Sequence, residues 1–522
     1  MLNSTQLAAP RGSAVWLSFA TRAFICLLCI GALAAARPCL AQSGKDSGDG
    51  PSAQTDDPNG GADSGDDGTG REGAPIVPAQ GVGKLDLEKL FSKKPKPPKK
   101  DTCYVRADGG ALVAKVLAEF EGERLVKLPT GELEVIADKD TRPTDRPFVS
   151  ATRQQMIDHH KAGKFGEFNF VPAGYYIFAY KDGDEDFYMQ TRSILESLFP
   201  GVIKQLRDWG LKPTRPETPM LVVMMPNRAE FDALEKMPPG VAAYYTQLEN
   251  YVVLYQDTKL FEAAPEYAFR EVAYTIAHEG IHQILANTGI QRRLSVWPAW
   301  VSEGLPEYFC PLKVSSRVIR QSDGEKLPER AVKWQRAGVI NDVRLYHLLR
   351  TRGASGKLIE QSIQTGGSLT AYGYAVSWGL VHYLGERRPE KFAAYLRDIS
   401  SKSKPLQPNV PLDHRGPDPL FVKHFGDDYP ELEASVQRHL NSKEVQKQYK
   451  DPVANQTHYV VKATIKKSGR YMTSMGLTKS PAAAKEFIDK LKAKARAEGL
   501  TQATFLTIVC KSEREALARL AK

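Results

Sequence analysis

The chain has 522 residues, too many for one ordinary hydrophobic core, so two to four folded units are expected. Hydrophobic residues make up 42%, aromatics 9% and charged residues 25%, a composition that excludes a wholly disordered chain. The net charge of +10 comes without a nucleic-acid recognition motif, so nucleic acid is not an expected partner.

Arg11 and Arg22 precede or flank an apolar run from Ala23 to Ala36, and Cys39-Leu40-Ala41 offers a cleavage site before Gln42. This is the pattern of a signal peptide over residues 1–41, so the mature protein is expected to be exported: secreted, periplasmic or held in the cell envelope. An uncleaved anchor is the alternative, because the cleavage site is imperfect. Ala36-Arg37-Pro38 lacks the leucine and small-residue context of a lipoprotein box. No second apolar span is long enough to cross a membrane. Of six cysteines, Cys103, Cys310 and Cys510 remain after the leader. Their wide spacing does not indicate a disulfide framework, and one bridge between two of them stays open.

Residues 42–100 are expected to be a disordered linker, rich in Gly, Ser, Asp and Pro up to Gly83 and closed by a basic spacer, Lys93–Lys100. Residues 101–150 read as a small β module with apolar runs at Ala111–Phe120, Arg124–Leu128 and Leu133–Ile136 and a turn at Pro129–Glu132. His159 and His160 are adjacent, so on a helix they diverge and are not expected to share an ion. A larger domain follows over residues 165–445. It alternates strands (Tyr175–Tyr180, Met220–Met225, Tyr251–Asp257) with helices (Tyr188–Trp209, a short one ending at Leu234, and one from Pro265 to Asn287).

That last helix carries His278-Glu279-Gly280-Ile281-His282. Histidines four apart share one helix face, so both rings can reach one ion, and Glu279 is placed to take a proton from a water there. Pro265 suits a first helical position and Gly289 the residue just past the end. A bare pattern of this kind arises by chance in roughly one chain of this length per hundred. The weight therefore falls on Trp297-Pro298-Ala299-Trp300-Val301-Ser302-Glu303-Gly304-Leu305, where Glu303 follows His282 by 21 positions. That distance accommodates a helix end, a turn and a returning helix, and two histidines with a glutamate are a recognised catalytic zinc set.

His-Glu-x-x-His followed by Trp-Val-Ser-Glu-Gly-Leu resembles the gluzincin metallopeptidases, the peptidase-MA-like branch of the zincin fold, and within it an uncharacterised secreted bacterial branch. The resemblance implies an α+β zincin-like fold, a mixed sheet lobe plus a helical lobe. It implies Zn2+ held by His278, His282 and Glu303, Glu279 as general base, and a peptide or protein substrate. It also places an acid one turn after the ligand glutamate, here Glu307, to orient a ligand histidine through its free ring N–H. Pro306 departs from the pattern, which has alanine there, and is expected to kink the helix near Glu303. In that fold an edge strand receives an extended peptide, and Tyr251–Tyr255 is the candidate here. The apolar helix Tyr372–Leu384 resembles the downstream helix of these sequences and offers Tyr374 as a donor toward a developing oxyanion. Trp378, His382 and Tyr383 read as core. Phe421–Leu440 is expected to close the lobe.

Residues 455–522 read as a separate small α/β module, with strands at Tyr459–Ile465 and Thr504–Val509 and helices at Pro481–Gly499 and Glu513–Leu520. It holds 14 Lys and Arg against 5 Asp and Glu, a net +9. Docking on an anionic cell-envelope surface is one reading; a solvated lysine-rich face is the other. Three functions stay open: a secreted zinc peptidase, a catalytically silent envelope-binding scaffold on the same fold, and a zinc hydrolase acting on a non-peptide substrate.

Overall fold

A computed structural model describes residues 95–520 apart from 108–109, 238–240, 257–264, 321–325, 351–356, 365–370, 407–417, 453–457, 468–469, 479–480 and 498–502. The leader and most of the linker expected before residue 95 lie outside the described residues. Within them the protein is mixed α+β with four sheets.

Strands β1 (Thr102–Ala107), β2 (Gly110–Glu119), β3 (Glu123–Lys127), β4 (Leu133–Ala137) and β5 (Thr141–Pro143) form an antiparallel sheet ordered β4-β3-β2-β1-β5. Ala114, Val116 and Ala118 alternate inward along β2, the period of two that made it legible. β1 and β5 escaped the sequence reading. Only half of β1 is strongly apolar, and β5 is three residues ending in proline.

The central sheet runs in the order β6 (Asn169–Ala173), β7 (Tyr176–Tyr180), β8 (Met220–Met225), β10 (Tyr251–Tyr255), β9 (Ala243–Thr246). β7, β8 and β10 are parallel; β6 and β9 lie antiparallel at the two edges. Tyr251–Tyr255, expected at the edge, is instead interior, and β9 is the edge strand beside it. Every residue of β8 and β10 is buried, as in strands covered on both faces, whereas four-residue β9 is too short for a periodic signal. Helices α1 (Arg153–Ala162), α2 (Glu185–Asp208), α3 (Arg228–Leu234) and α4 (Pro265–Asn287) accompany this sheet.

The N-terminal sheet is packed onto this lobe. Phe120, Leu125 and Leu133 share a cluster with Leu294 and Leu406. Leu133 N–H donates to the Leu248 carbonyl at 2.8 Å, and Ala151 N–H to that of Pro129 at 2.9 Å. Buried Arg293, in the loop after α4, donates Nε to the Gln247 carbonyl at 2.6 Å, Nη2 to that of Leu248 at 2.7 Å, and Nη1 to that of Gly131. One guanidinium thus ties the β3–β4 turn to the β9–β10 turn.

The chain then turns helical through α5 (Ala299–Phe309), α6 (Asp342–Arg350), α7 (Leu358–Gln364), α8 (Ala371–Arg387), α9 (Pro389–Ser401), α10 (Pro419–Phe425), α11 (Tyr429–Leu440) and α12 (Lys443–Gln448). A hairpin, β11 (Leu312–Arg320) with β12 (Lys326–Trp334), interrupts it unexpectedly. Asp323-Gly324, a strong turn pair, is the signal that could have found it. The region expected to close the lobe is two helices, α10 and α11, parted at Gly426 with φ +85°.

The C-terminal unit comprises β13 (His458–Lys467), β14 (Arg470–Thr478), α13 (Pro481–Ala497), β15 (Ala503–Cys510) and α14 (Glu513–Leu520), with sheet order β14-β13-β15 and a small cluster of its own around Val460, Cys510 and Ala516. Cys103, Cys310 and Cys510 are each buried and free, so the bridge left open by the sequence is not formed. Among the described residues no helix is long and apolar enough to cross a membrane.

Candidate metal centre

From Thr275 to Leu285 every residue of α4 is buried, so this helix is central rather than amphipathic. Its end follows the sequence: Gly289 adopts φ +74°, the left-handed conformation that closes a helix at small cost. The glycines beside the two motif glutamates have a different task. A Cβ on Gly280 would lie 2.3 Å from Leu195 Cδ2 of α2, and one on Gly304 would lie 2.7 Å from the Ser377 carbonyl of α8. Both helix crossings need a bare backbone beside Glu279 and Glu303. α5 runs through Pro306 as one helix from Ala299 to Phe309.

The packing of α5 against α4 brings His278, His282 and Glu303 together. His278 Nε2 lies 3.1 Å from His282 Nε2 and 3.2 Å from Glu303 Oε2, and His282 Nε2 lies 3.4 Å from the same oxygen. Ligands about 2.0–2.1 Å from a tetrahedral zinc stand about 3.3 Å from one another, so this triangle has the size of one tetrahedral face. The donor chemistry fits as well. His278 Nδ1 lies 3.1 Å from Glu307 Oε1, an ion-pair contact bent away from ideal hydrogen-bond geometry that favours a proton on Nδ1 and so frees Nε2 for an ion. With an ion in place of a proton on Nε2, three lone-pair-bearing atoms would converge on it, which is what a cation requires.

Electrostatics agree. Glu279, Glu303 and Glu307 are buried carboxylates, and of these Glu307 is paired with a buried guanidinium, Arg344, which leaves negative charge beside the two histidines that a cation would help to neutralise. Burial opposes a charge on His278, but hydrogen bonds to Glu303 and Glu307 hold its pKa up at about 10, so a bound divalent ion would have to displace a proton shared with Glu303. Burial likewise opposes the charge on Glu307, yet Arg344 and His278 bring it down to about 2. Glu303 falls below the usual carboxylate range against its own burial, chiefly through His282 and His278. Glu279 goes the other way: burial raises it, as suits a group that accepts a proton. Its Oε2 accepts from Tyr245 N–H of β9 at 2.9 Å.

Tyr374, on α8, is buried with its ring centroid 6.1 Å from that of His278 and 5.5 Å from Arg344 Cζ. Glu307 is held in turn by Arg344 Nη2, donating to Oε1 at 2.6 Å, and Asn341 Nδ2, donating to Oε2 at 2.8 Å. Asn341, Arg344 and Tyr245 went unread in the sequence. Asn341 ahead of Asp342 is a helix-cap signal, and its Oδ1 does accept from Arg344 N–H at 3.1 Å, but no local pattern ties α6 to Glu307.

His159 and His160, expected to diverge, are corrected here. Both are buried at the end of α1, and nitrogens of both lie within 4.8 Å of each other and of a Glu132 oxygen. His159 Nε2 stands 3.1 Å from both Glu132 oxygens, an ion-pair contact joining the β3–β4 turn to α1.

His382 is core, as expected, but paired. Arg387 Nε donates to His439 Nδ1 at 3.0 Å, so neutral His439 carries its proton on Nε2, 2.9 Å from His382 Nδ1; His382 Nε2 then donates to the Gly338 carbonyl at 3.3 Å. Burial and mutual proximity, with Arg336 and Arg387 nearby, lower His382 to about 3; burial and Arg387 lower His439 to about 4, against a small opposing pull from Glu444. Both folded pKa values lie below the ordinary histidine value, so the unfolded chain binds more protons in acid. Stability is expected to be undiminished by this pair above about pH 6.5 and to fall from there toward pH 4, by up to about 1.4 kcal/mol per pH unit per histidine. Urea midpoints of wild type and His439→Gln across that range check it: equal slopes in both would refute the assignment.

A sequence profile of the family described as "Protein of unknown function (DUF1570)" matches residues 272–407, which is 136 of the chain's 522 residues. The match spans His278, Glu279, His282, Glu303, Glu307 and Tyr374, and its description assigns no activity. No curated protein matches the chain.

Proposed function

We propose that this chain is a zinc-dependent metallopeptidase of gluzincin type on a zincin-like fold. The observation that carries the reading is the triangle of His278, His282 and Glu303, sized as one face of a tetrahedron. Zinc in that site would supply Lewis acidity toward a substrate carbonyl and toward an attacking water. Glu279 would take the proton of that water on the oxygen not engaged by Tyr245 N–H as the water oxygen bonds the carbonyl carbon, and would pass it to the leaving amine nitrogen as the C–N bond breaks. Glu307 holds the proton of His278 on Nδ1 and so keeps Nε2 turned inward. Tyr374 is the candidate donor to the oxyanion, resting on its place beside His278.

The edge strand supports a peptide substrate. Asn250 N–H donates to the Thr246 carbonyl and Tyr255 N–H to that of Ala242, so residues 242, 244 and 246 turn toward β10. Ala243 and Tyr245 therefore turn to the outer edge, where Tyr245 meets Glu279. An extended segment pairing along Ala243 would run past the general base.

One observation favours a second reading, a silent scaffold with a structural metal. His278, His282 and Glu303 are 1%, 3% and 4% exposed, and structural zinc sites are closed while catalytic ones keep an open position. A hydrolase for a non-peptide substrate has the same ligands. Purified protein is expected to hold close to one zinc per chain and to lose it in His278→Ala and Glu303→Ala, by elemental analysis; unchanged zinc in both variants would remove these residues as ligands. The leader-like N-terminus supports export, which N-terminal sequencing would test by finding Gln42 first. The charge of residues 455–522 supports docking on an anionic envelope surface. Removing them is expected to spare zinc binding and weaken salt-sensitive retention on envelope material; retention that persists would exclude that role.

A further inference from the structure

The metal reading leaves Arg344 without a task, although it is buried on α6, outside the two motif helices. Its Nη2 donates to Glu307 Oε1, the same oxygen that faces His278 Nδ1, at 2.6 Å. Asn341, which caps α6 on the Arg344 amide, gives Glu307 Oε2 its second donor at 2.8 Å. The cap and the ion pair are therefore one unit: the first turn of α6 presents both donors to one carboxylate. The other side of the guanidinium lies 5.5 Å from the ring of Tyr374. A carboxylate buried as deeply as Glu307 can turn only if its oxygens lose these donors, and a charge-assisted bond at 2.6 Å on one oxygen with an amide donor on the other fixes its orientation.

We propose that Arg344 is a positioning residue for the metal centre: through the carboxylate of Glu307 it sets the tautomer and aim of His278, so zinc affinity is governed from α6. The proposal rests on the metal reading and extends it to a residue that touches neither ion nor substrate. It predicts coupling. Arg344 and Glu307 act in series, so removing both should be no worse than removing Glu307.

The test is the zinc dissociation constant, by competition with a chromophoric chelator, for the full chain and its Arg344→Met, Arg344→Lys, Glu307→Gln and Arg344→Met/Glu307→Gln variants. Arg344→Met is expected to bind zinc about 10–100-fold more weakly. Arg344→Lys should recover part of the loss, and the double variant should match Glu307→Gln. Melting temperatures of the metal-free forms separate this from general destabilisation, because lost stability alone would not make the two losses non-additive. If Arg344→Met does not fold, Asn341→Ser keeps a hydroxyl for the cap while dropping the amide donor, and a several-fold loss of affinity is expected there. Wild-type affinity in Arg344→Met, or losses that add in the double variant, would overturn the inference alone. A wild type that binds no zinc would overturn the metal reading and this inference with it.

Discussion

Replacing Glu279 by glutamine is expected to leave one zinc per chain in place while lowering hydrolysis by at least about 10²-fold, the usual contribution of a general base. Glutamine keeps the size of glutamate and can still accept the Tyr245 N–H on its amide oxygen, so the contact between α4 and β9 survives. It cannot take up a proton near neutral pH. Zinc content and turnover on a peptide library, measured together, give each outcome a meaning. Loss of zinc in Glu279→Gln would make the carboxylate a ligand. Undiminished activity that chelators still abolish would place the base elsewhere. Full zinc in a wild type that cleaves no peptide would favour the scaffold or the non-peptide hydrolase.

Replacing Arg293 by methionine is expected to destabilise the protein by roughly 3–5 kcal/mol, because it strands the Gly131, Gln247 and Leu248 carbonyls at about 1–3 kcal/mol each. Methionine fills much of the space, so the loss reports the missing donors rather than a cavity. The N-terminal sheet and the central sheet share this guanidinium and the Leu294–Leu406 cluster, so both should unfold in one transition. Urea denaturation followed by fluorescence measures both quantities. A loss below about 1 kcal/mol, or separate transitions for residues 102–143 and the rest, would show that the contact is incidental.

The sequence by itself determined the elements whose patterning is local and strong. The helix Pro265–Asn287 was bounded by its proline and by Gly289, and β8 by an unbroken apolar run, while β10, read as Tyr251–Asp257, ends at Tyr255. It also brought His278, His282 and Glu303 under suspicion, because a helical repeat of four places two ligands on one face whatever surrounds them. Tertiary structure alone decided the rest, since each remaining feature joins residues far apart in the chain. Edge or interior position in a sheet is a property of neighbours, which is why Tyr251–Tyr255 was misplaced and four-residue Ala243–Thr246 was missed. Gly280 and Gly304 gained their reason only from Leu195 and Ser377 on other helices. Adjacent histidines diverge on an ideal helix, yet His159 and His160 meet near Glu132 at a helix end where a separate sheet docks. Arg344 reaches Glu307 across 37 residues and Arg293 reaches Gly131 across 162, distances at which a buried cation finds its acceptors only after the chain has folded.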